Sequence, residues 1–440
     1  VRQRGSIRQH TDWLSVSLVI FLIIAGWLNI YAASYNEAHA SPFDSSMEYG
    51  KQFVWVVISV LCAFAIMNVE GSFFSTFALL FYGLVLVLLI LVLLIGKEVN
   101  GAKAWFGIGS FGIQPSEFSK VAISLLIAKT LSEPGTKIKS LKTRFSVFAI
   151  TLIPAALILL QPDTGTVLVF VAFIFALYRE GLSGNILLIG FGAAVLAVLA
   201  ILLSYSNIDY PFLGLRSGIP LLMILFGAIG ILILFLIKSF VLPRFRKKAY
   251  TIAVLSTIAS IGYAGSINIA LDKVLKPHHK KRIEILLGLD EDPQGAGYNV
   301  KQSKTAIGSG GFSGKGYLQG PVTKYGFVPE QSTDFIFCTV GEEWGFIGSS
   351  IILLVFAVLI LRIMILAERQ RSLFARIYGY CAASILFFHV LINVGMVLGL
   401  APVIGIPLPF FSYGGSALLG FTMLIMIMLR FDAERLKVLR

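Results

Sequence analysis

The chain has 440 residues, 57% of them hydrophobic and only 13% charged, with mean hydropathy +0.86 and net charge +13. Soluble domains carry about 25% charged residues, so a chain this apolar cannot bury its surface in a water-soluble core, and a bilayer is its expected solvent. The excess Lys and Arg sit in short links between apolar runs rather than in one patch, which argues against nucleic-acid binding and for loops facing anionic lipid.

Apolar runs long enough to cross fall near 12–34, 52–69, 73–96, 117–131, 145–160, 164–179, 185–204, 218–240, 250–271, 343–366, 375–397 and 409–430. The pattern predicts an all-α polytopic membrane protein with about twelve transmembrane helices. The runs at 117–131 and 164–179 are the shortest and fit a thinned bilayer or a half-buried position. The basic start, VRQRGSIRQH, precedes an apolar run too long for a signal-peptide core, so it reads as a first membrane helix entered from the cytoplasm. With that start inside, the inside links hold Lys137, Lys139, Lys142 and Arg144, then Arg179, the PRFRKK run at 243–248, and Arg362, Arg369, Arg371 and Arg376. The tail RFDAERLKVLR is inside as well, so both termini are expected in the cytoplasm. The whole chain, 1–440, reads as a single membrane domain. One large polar loop, 272–342, then faces outward, and long loops cross regardless of their charge.

Cys62, Cys338 and Cys381 lie in or beside apolar runs without metal-ligand or disulfide spacing and read as small buried hydrophobes. His278 and His279 are adjacent, a poor spacing for a shared metal, and read as solvated.

Three outward segments carry unusual polar residues. In GKEVNGAKAWFGIGSFGIQPSEFSK, Ser116 is a candidate helix cap, and Glu117 and Lys120, three apart, share one helical face. They read either as a structural ion pair or as a pair that positions another charge. In QPDTGT, Asp163 caps a helix from Thr164 or touches substrate. The large loop is glycine-rich, but Gly314-Lys315 is followed by Gly316, and no strand precedes it, so a P-loop is excluded. Glycines with Lys301, Lys304, Lys315 and Lys324 remain a candidate diphosphate cradle, the alternative being a plain solvated loop. In FVPEQSTDFIFCTVGEEWGF, Asp334 stands where loop meets apolar run, placed to accept a proton. Glu330, four residues earlier, is a candidate for the same helical face, while Glu342 and Glu343 read as dipole partners at a helix start.

The segments NGAKAWFGIGSFGIQPSEFSK, QPDTGT, DPQGAGYNVKQSKTAIGSGGFSGKG, FVPEQSTDFIFCTVGEEWG and IGIPLPFFSYGGS resemble, in order, the signatures of the SEDS family, whose branches are RodA and FtsW. The last segment is more similar to the RodA branch. The resemblance implies a peptidoglycan glycosyltransferase that polymerises lipid II, a disaccharide-pentapeptide on undecaprenyl diphosphate, at the outer face of the bacterial cytoplasmic membrane. It implies a class B penicillin-binding transpeptidase as partner. It implies that Asp334 is catalytic and that Glu117 and Lys120 support it. Candidate substrate contacts in the matching segments are Asp163, Gln302, Ser303, Lys304, Lys315, Glu330, Ser412, Gly414 and Gly415, together with Arg282 in the large loop. Family members usually have ten spans; here an apolar pair within 205–271 is added before the loop, which preserves the loop's orientation. The reaction needs a base and cations at the departing diphosphate, for which Lys120, Arg282, Lys304 and Lys315 are candidates. A divalent cation, Mg or Mn, is a candidate substitute for part of that charge. Two other classes stay open: a lipid II flippase or transporter, and a non-catalytic scaffold that activates a transpeptidase.

Overall fold

The computed structural model describes residues 10–35, 41–99, 101–108, 111–204, 209–210, 215–216, 219–269 and 296–435. Arg282, His278 and His279 lie outside the described residues. The chain divides into two compact units, Val1–Leu182 with Asp292–Arg440, and Ser183–Glu291.

The first unit holds α1 (Trp13–Ala33), α2 (Glu48–Asn68), the short α3 (Gly71–Thr76), α4 (Ala78–Ile95), α5 (Pro115–Ser132), α6 (Leu141–Leu159), α7 (Thr164–Val169) and α8 (Phe173–Arg179). After the large loop come α12 (Ala296–Gly310), α13 (Pro321–Lys324), α14 (Ile336–Glu368), α15 (Leu373–Val397) and α16 (Gly415–Glu434). The second unit holds α9 (Gly184–Ser204), α10 (Ile219–Phe240) and α11 (Pro243–Ile269). In that unit Gly230 of α10 lets α11 approach closely: a methyl group there would lie 2.5 Å from Thr257 Oγ1. Ala200, Leu222 and Ala264 form its small core.

Among the described residues, ten helices are long and apolar enough to cross a membrane: 13–33, 48–68, 78–95, 141–159, 184–203, 219–240, 243–267, 336–368, 373–397 and 415–434. The chain is a multi-pass membrane protein. The two runs expected to be weakest behave differently from the rest. α5 sits in the middle of the first unit, packed against α4, α6, α15 and α16, so its polar Glu117, Ser119, Lys120 and Ser124 face protein instead of lipid. The 164–179 run is helical but broken by a 3₁₀ turn at Phe170–Ala172.

Two features were not legible as spans. Between α4 and α5 the chain forms an antiparallel three-stranded meander, β1 (Lys97–Val99), β2 (Ala102–Ile108) and β3 (Phe111–Ile113), with Glu98 opposite Lys103 and Gly107 opposite Gly112. The helix expected from 343 starts at Ile336 instead, because Ile336, Phe337, Cys338 and Val340 are all buried. Gly345 breaks it internally with φ 65.

One pole of the first unit collects its arginines. Arg362 reaches Asp12, the N-cap of α1, at 2.5 Å; Arg369 meets Asp432 at 2.5 Å; Arg376 meets Glu180 at 2.9 Å. Burial pushes the Asp12 carboxyl upward, but hydrogen bonds from Arg362 and Ser15 outweigh it and hold the group down at about 2. Its contribution to stability is therefore complete above the ordinary carboxylate value of about 3.9 and is lost as pH falls toward 2. Asp12→Asn should lower the melting temperature in detergent at pH 7, and the difference from the parent should shrink between pH 4 and pH 2. A constant difference across that range would show that the charge plays no part.

Candidate active site

The opposite pole is organised around the loop 398–414, between α15 and α16. Positive φ at Gly399 (72°), Gly405 (78°) and Phe410 (63°) turns the backbone sharply, and α7, α12, α15 and the turn before α14 all reach this loop.

From α15, Asn393 donates through Nδ2 to the carbonyls of Ile406 (2.7 Å) and Asp334 (2.9 Å). One turn earlier, His389 Nδ1 lies 3.3 Å from the Pro407 carbonyl. The turn before α14 joins the loop where Tyr413 N–H donates to Ser332 O at 2.8 Å. The half-buried Asp334 presents Oδ2 to the loop so closely that a methyl group on Gly405 would lie 3.2 Å from it. Asp334 thus stands on the rim of the pole, against the loop.

From α12, Ser303 Oγ donates to Val397 O at 3.0 Å, and the Lys304 ammonium lies over Gly399, where any side chain would collide with it. Ser303 is buried and anchors the helix, Gln302 is half-buried, and Lys304 is exposed. The large loop is therefore structured across 296–335, not a plain solvated segment.

From α5 and α7, Asp163 Oδ1 accepts from Thr166 N–H at 3.0 Å, so the capping reading holds. Its other oxygen accepts from Gln114 Nε2 (3.0 Å), Ser116 Oγ (3.3 Å) and Thr166 Oγ1 (2.8 Å). Ser116 is thus no cap: α5 begins at Pro115, and the Ser116 hydroxyl turns to Asp163. A methyl group at Gly165 would lie 3.0 Å from Ile404 O, which brings α7 against the loop.

Glu117 and Lys120 form the expected ion pair at 2.6 Å, with side chains only 5% and 3% exposed. The Lys120 ammonium also lies 3.2 Å from His389 Nε2 and 4.5 Å from the centre of the Phe421 ring. So enclosed, Lys120 acts on its neighbours and is not presented to a diphosphate.

The remaining candidates build the scaffold. Ser412 Oγ accepts from Leu408 N–H at 2.9 Å, Gly414 N–H donates to Gln52 Oε1 at 3.2 Å, and Gly415 lies flat on Trp55, with no room for a Cβ. Lys315 pairs with Glu342 at 3.3 Å. Glu342 also accepts from Val322 N–H, Thr323 N–H and Thr323 Oγ1, and Glu343 accepts from Leu318 N–H. These two carboxylates are not partners of a helix start; that start lies upstream at Ile336, and they fasten the 315–323 segment onto α14. Glu330 does not share a helical face with Asp334, because 330–335 is a chain of turns with Glu330 at φ 55. Its carbonyl accepts from Asp334 N–H at 3.1 Å.

Gly314 makes this fastening possible. It has φ 80, and a Cβ would overlap the Glu343 carbonyl. Gly314→Ala should destabilise by more than about 1 kcal/mol, since Ala resists positive φ, and should open 311–326 to limited proteolysis. A digestion pattern like the parent's would contradict this.

Sequence reasoning missed His389, Asn393, Gln114, Gln52 and Ser416. The first two carried a signal: two polar residues four apart in an apolar run share one helical face and mark a protein-facing stripe.

A polytopic helical bundle with a half-buried carboxylate set against a loop that three other matched motifs reach defines the class. The family model described as Cell cycle protein, FtsW/RodA/SpoVE, matches residues 12–212 and 219–437, so the chain belongs to that family. It is 35% identical over 419 residues to the peptidoglycan glycosyltransferase RodA of Treponema pallidum (strain Nichols), covering 92% of this chain and 94% of the relative. It is 32% identical over 421 residues to the stage V sporulation protein E of Bacillus subtilis (strain 168), covering 95% and 96%. A chain solved in work on structural coordination of polymerization and crosslinking by a peptidoglycan synthase complex aligns at TM-score 0.68. It is 26% identical, with 97% of this chain and 99% of that chain covered.

Proposed function

We propose that this chain is a peptidoglycan glycosyltransferase that polymerises lipid II at the outer face of the bacterial cytoplasmic membrane, for cell elongation and shape. The observation that carries the reading is Asp334, a half-buried carboxylate set against Gly405 of the 398–414 loop, its backbone carbonyl tied to Asn393. The charge bias supports the proposed sidedness, in which the arginine-rich pole and both termini face the cytoplasm and the Asp334 pole faces out.

Asp334 takes the proton of the attacking sugar 4-hydroxyl as its oxygen bonds to the anomeric carbon of the second substrate. The bond from that carbon to the diphosphate oxygen breaks, and the electron pair leaves with the undecaprenyl diphosphate. The exposed Lys304 faces the negative charge that develops there, and Arg282 is proposed to assist. A divalent cation, Mg or Mn, is proposed as a second source of positive charge at the departing diphosphate; among the described residues no group of three or more His, Cys, Asp or Glu is placed to hold it alone. The apolar faces of the helices supply a path for the prenyl tail, and a class B penicillin-binding transpeptidase is the proposed partner. The α10–α11 pair, within 205–271, is proposed as an addition to a ten-helix core.

The test is purified protein with its transpeptidase partner and lipid II, with and without chelator. Glycan strands separable by gel are expected, in amounts that fall with the chelator. A transporter would instead move lipid II across sealed vesicles and form no strands, and a scaffold would do neither. Against transport, Asp334, Asp163 and Lys304 gather around one inter-helix loop, and no pair of broken helices in matching halves accompanies them among the described residues.

A further inference from the structure

The Glu117–Lys120 pair is sealed from solvent, yet it is wired to the rim. Lys120 is an ammonium beside a carboxylate and can only donate, so His389 Nε2 must accept. The proton of the neutral imidazole then sits on Nδ1 and points at the Pro407 carbonyl. One turn along the same helix, Asn393 spends both amide hydrogens on the carbonyls of Ile406 and Asp334, two segments far apart in sequence. Next to the anchored Ile406 lies Gly405, the backbone against which the Asp334 carboxylate rests. His389 and Asn393 are 1% and 0% exposed. The Phe421 ring stands edge-on to His389 at 4.8 Å and also underlies Lys120, so the ring, the imidazole and the ammonium form one buried cluster.

We infer that His389 and Asn393 are positioning residues for the reaction: they pin the 405–407 backbone beside Asp334, and His389 ties that backbone to the Glu117–Lys120 pair. The inference rests on the polymerase reading above. It gives the buried pair a task. An ion pair in a protein core is weak evidence for stability, because apolar residues of similar volume do as well. A pair that fixes an imidazole tautomer, and through it a loop, fixes geometry, and a small misplacement of a catalytic base costs rate. Neither residue touches substrate; each acts through the loop.

The experiment measures kcat and KM for glycan polymerisation by the full chain with its partner. His389→Leu and Asn393→Leu should each lower kcat ~10- to 100-fold and leave KM within about twofold. His389→Gln, whose planar amide carries an acceptor and a donor together, should recover at least about a third of the parental kcat. Because His389 acts with Lys120, the variant combining Lys120→Met with His389→Leu should be no slower than the slower single variant. Should His389→Leu not accumulate, His389→Asn, too short to bridge both partners, replaces it and should show the same loss. Parental kcat in His389→Leu, equal loss in His389→Gln and His389→Leu, or multiplying losses in the double variant would each overturn the inference. Failure of the parental chain, with its partner, to form strands from lipid II would instead overturn the polymerase reading itself, so the two failures are distinguishable.

Discussion

Asp334→Asn should lower glycan polymerisation ~1,000-fold or more, within the range expected for removal of a general base. The substitution is nearly isosteric. The backbone ties of residue 334, from its N–H to Glu330 O and from Asn393 to its carbonyl, do not involve the side chain and should survive. The variant should therefore keep the parental melting temperature and still copurify with its transpeptidase. Loss of activity with an intact fold would isolate the carboxylate as the group that matters. Strand formation at the parental rate would remove Asp334 from the chemistry. Loss of fold alongside loss of activity would mark the residue as structural.

Lys120→Met should have the largest effect on stability. It leaves Glu117, with a side chain 5% exposed, buried without its cation. Breaking a buried pair by removing one partner costs about 3–5 kcal/mol, because the remaining charge has no compensation. Combining Glu117→Gln with Lys120→Met removes that charge and should return most of the lost stability. Activity should stay low in the combined variant, since His389 then has no ammonium at Nε2. Thermal unfolding in detergent reports the first quantity and strand formation the second. If stability and activity recovered together, the pair would serve packing alone. If stability failed to recover, the cost would lie elsewhere than in the unpaired carboxylate.

The membrane-spanning architecture was legible because bilayer thickness imposes a long apolar run on each helix, and charge bias orients the links. Where that physics does not apply, the pattern said less. α5 is helical, as the short run at 117–131 predicts, but it faces protein on nearly all sides and so carries Ser, Glu and Lys, which apolarity alone does not explain. The start of α14 was misplaced by seven residues because Glu342 and Glu343 look like the start of a helix. Their role in holding the 315–323 segment depends on a distant stretch of chain, which no local pattern reveals. At the site, Asp334 and the Glu117–Lys120 spacing could be read from sequence. What could not be read is that one loop, 398–414, gathers them. Lys315 and Ser303 looked like substrate contacts because Lys and Ser suit a diphosphate, but their partners, Glu342 and the Val397 carbonyl, lie 27 and 94 residues away.

On the proposed sidedness, the pole bearing Asp334 meets the outside of the cell. In a chain with Cys62, Cys338 and Cys381 replaced, a single cysteine at Tyr325, which is 69% exposed on that pole, is offered a membrane-impermeant maleimide on intact spheroplasts. A single cysteine at the exposed Arg371, on the arginine-rich pole, serves as the comparison. The account predicts labelling at 325 on intact spheroplasts and at 371 only after lysis. Labelling at 371 before lysis with none at 325 would contradict it.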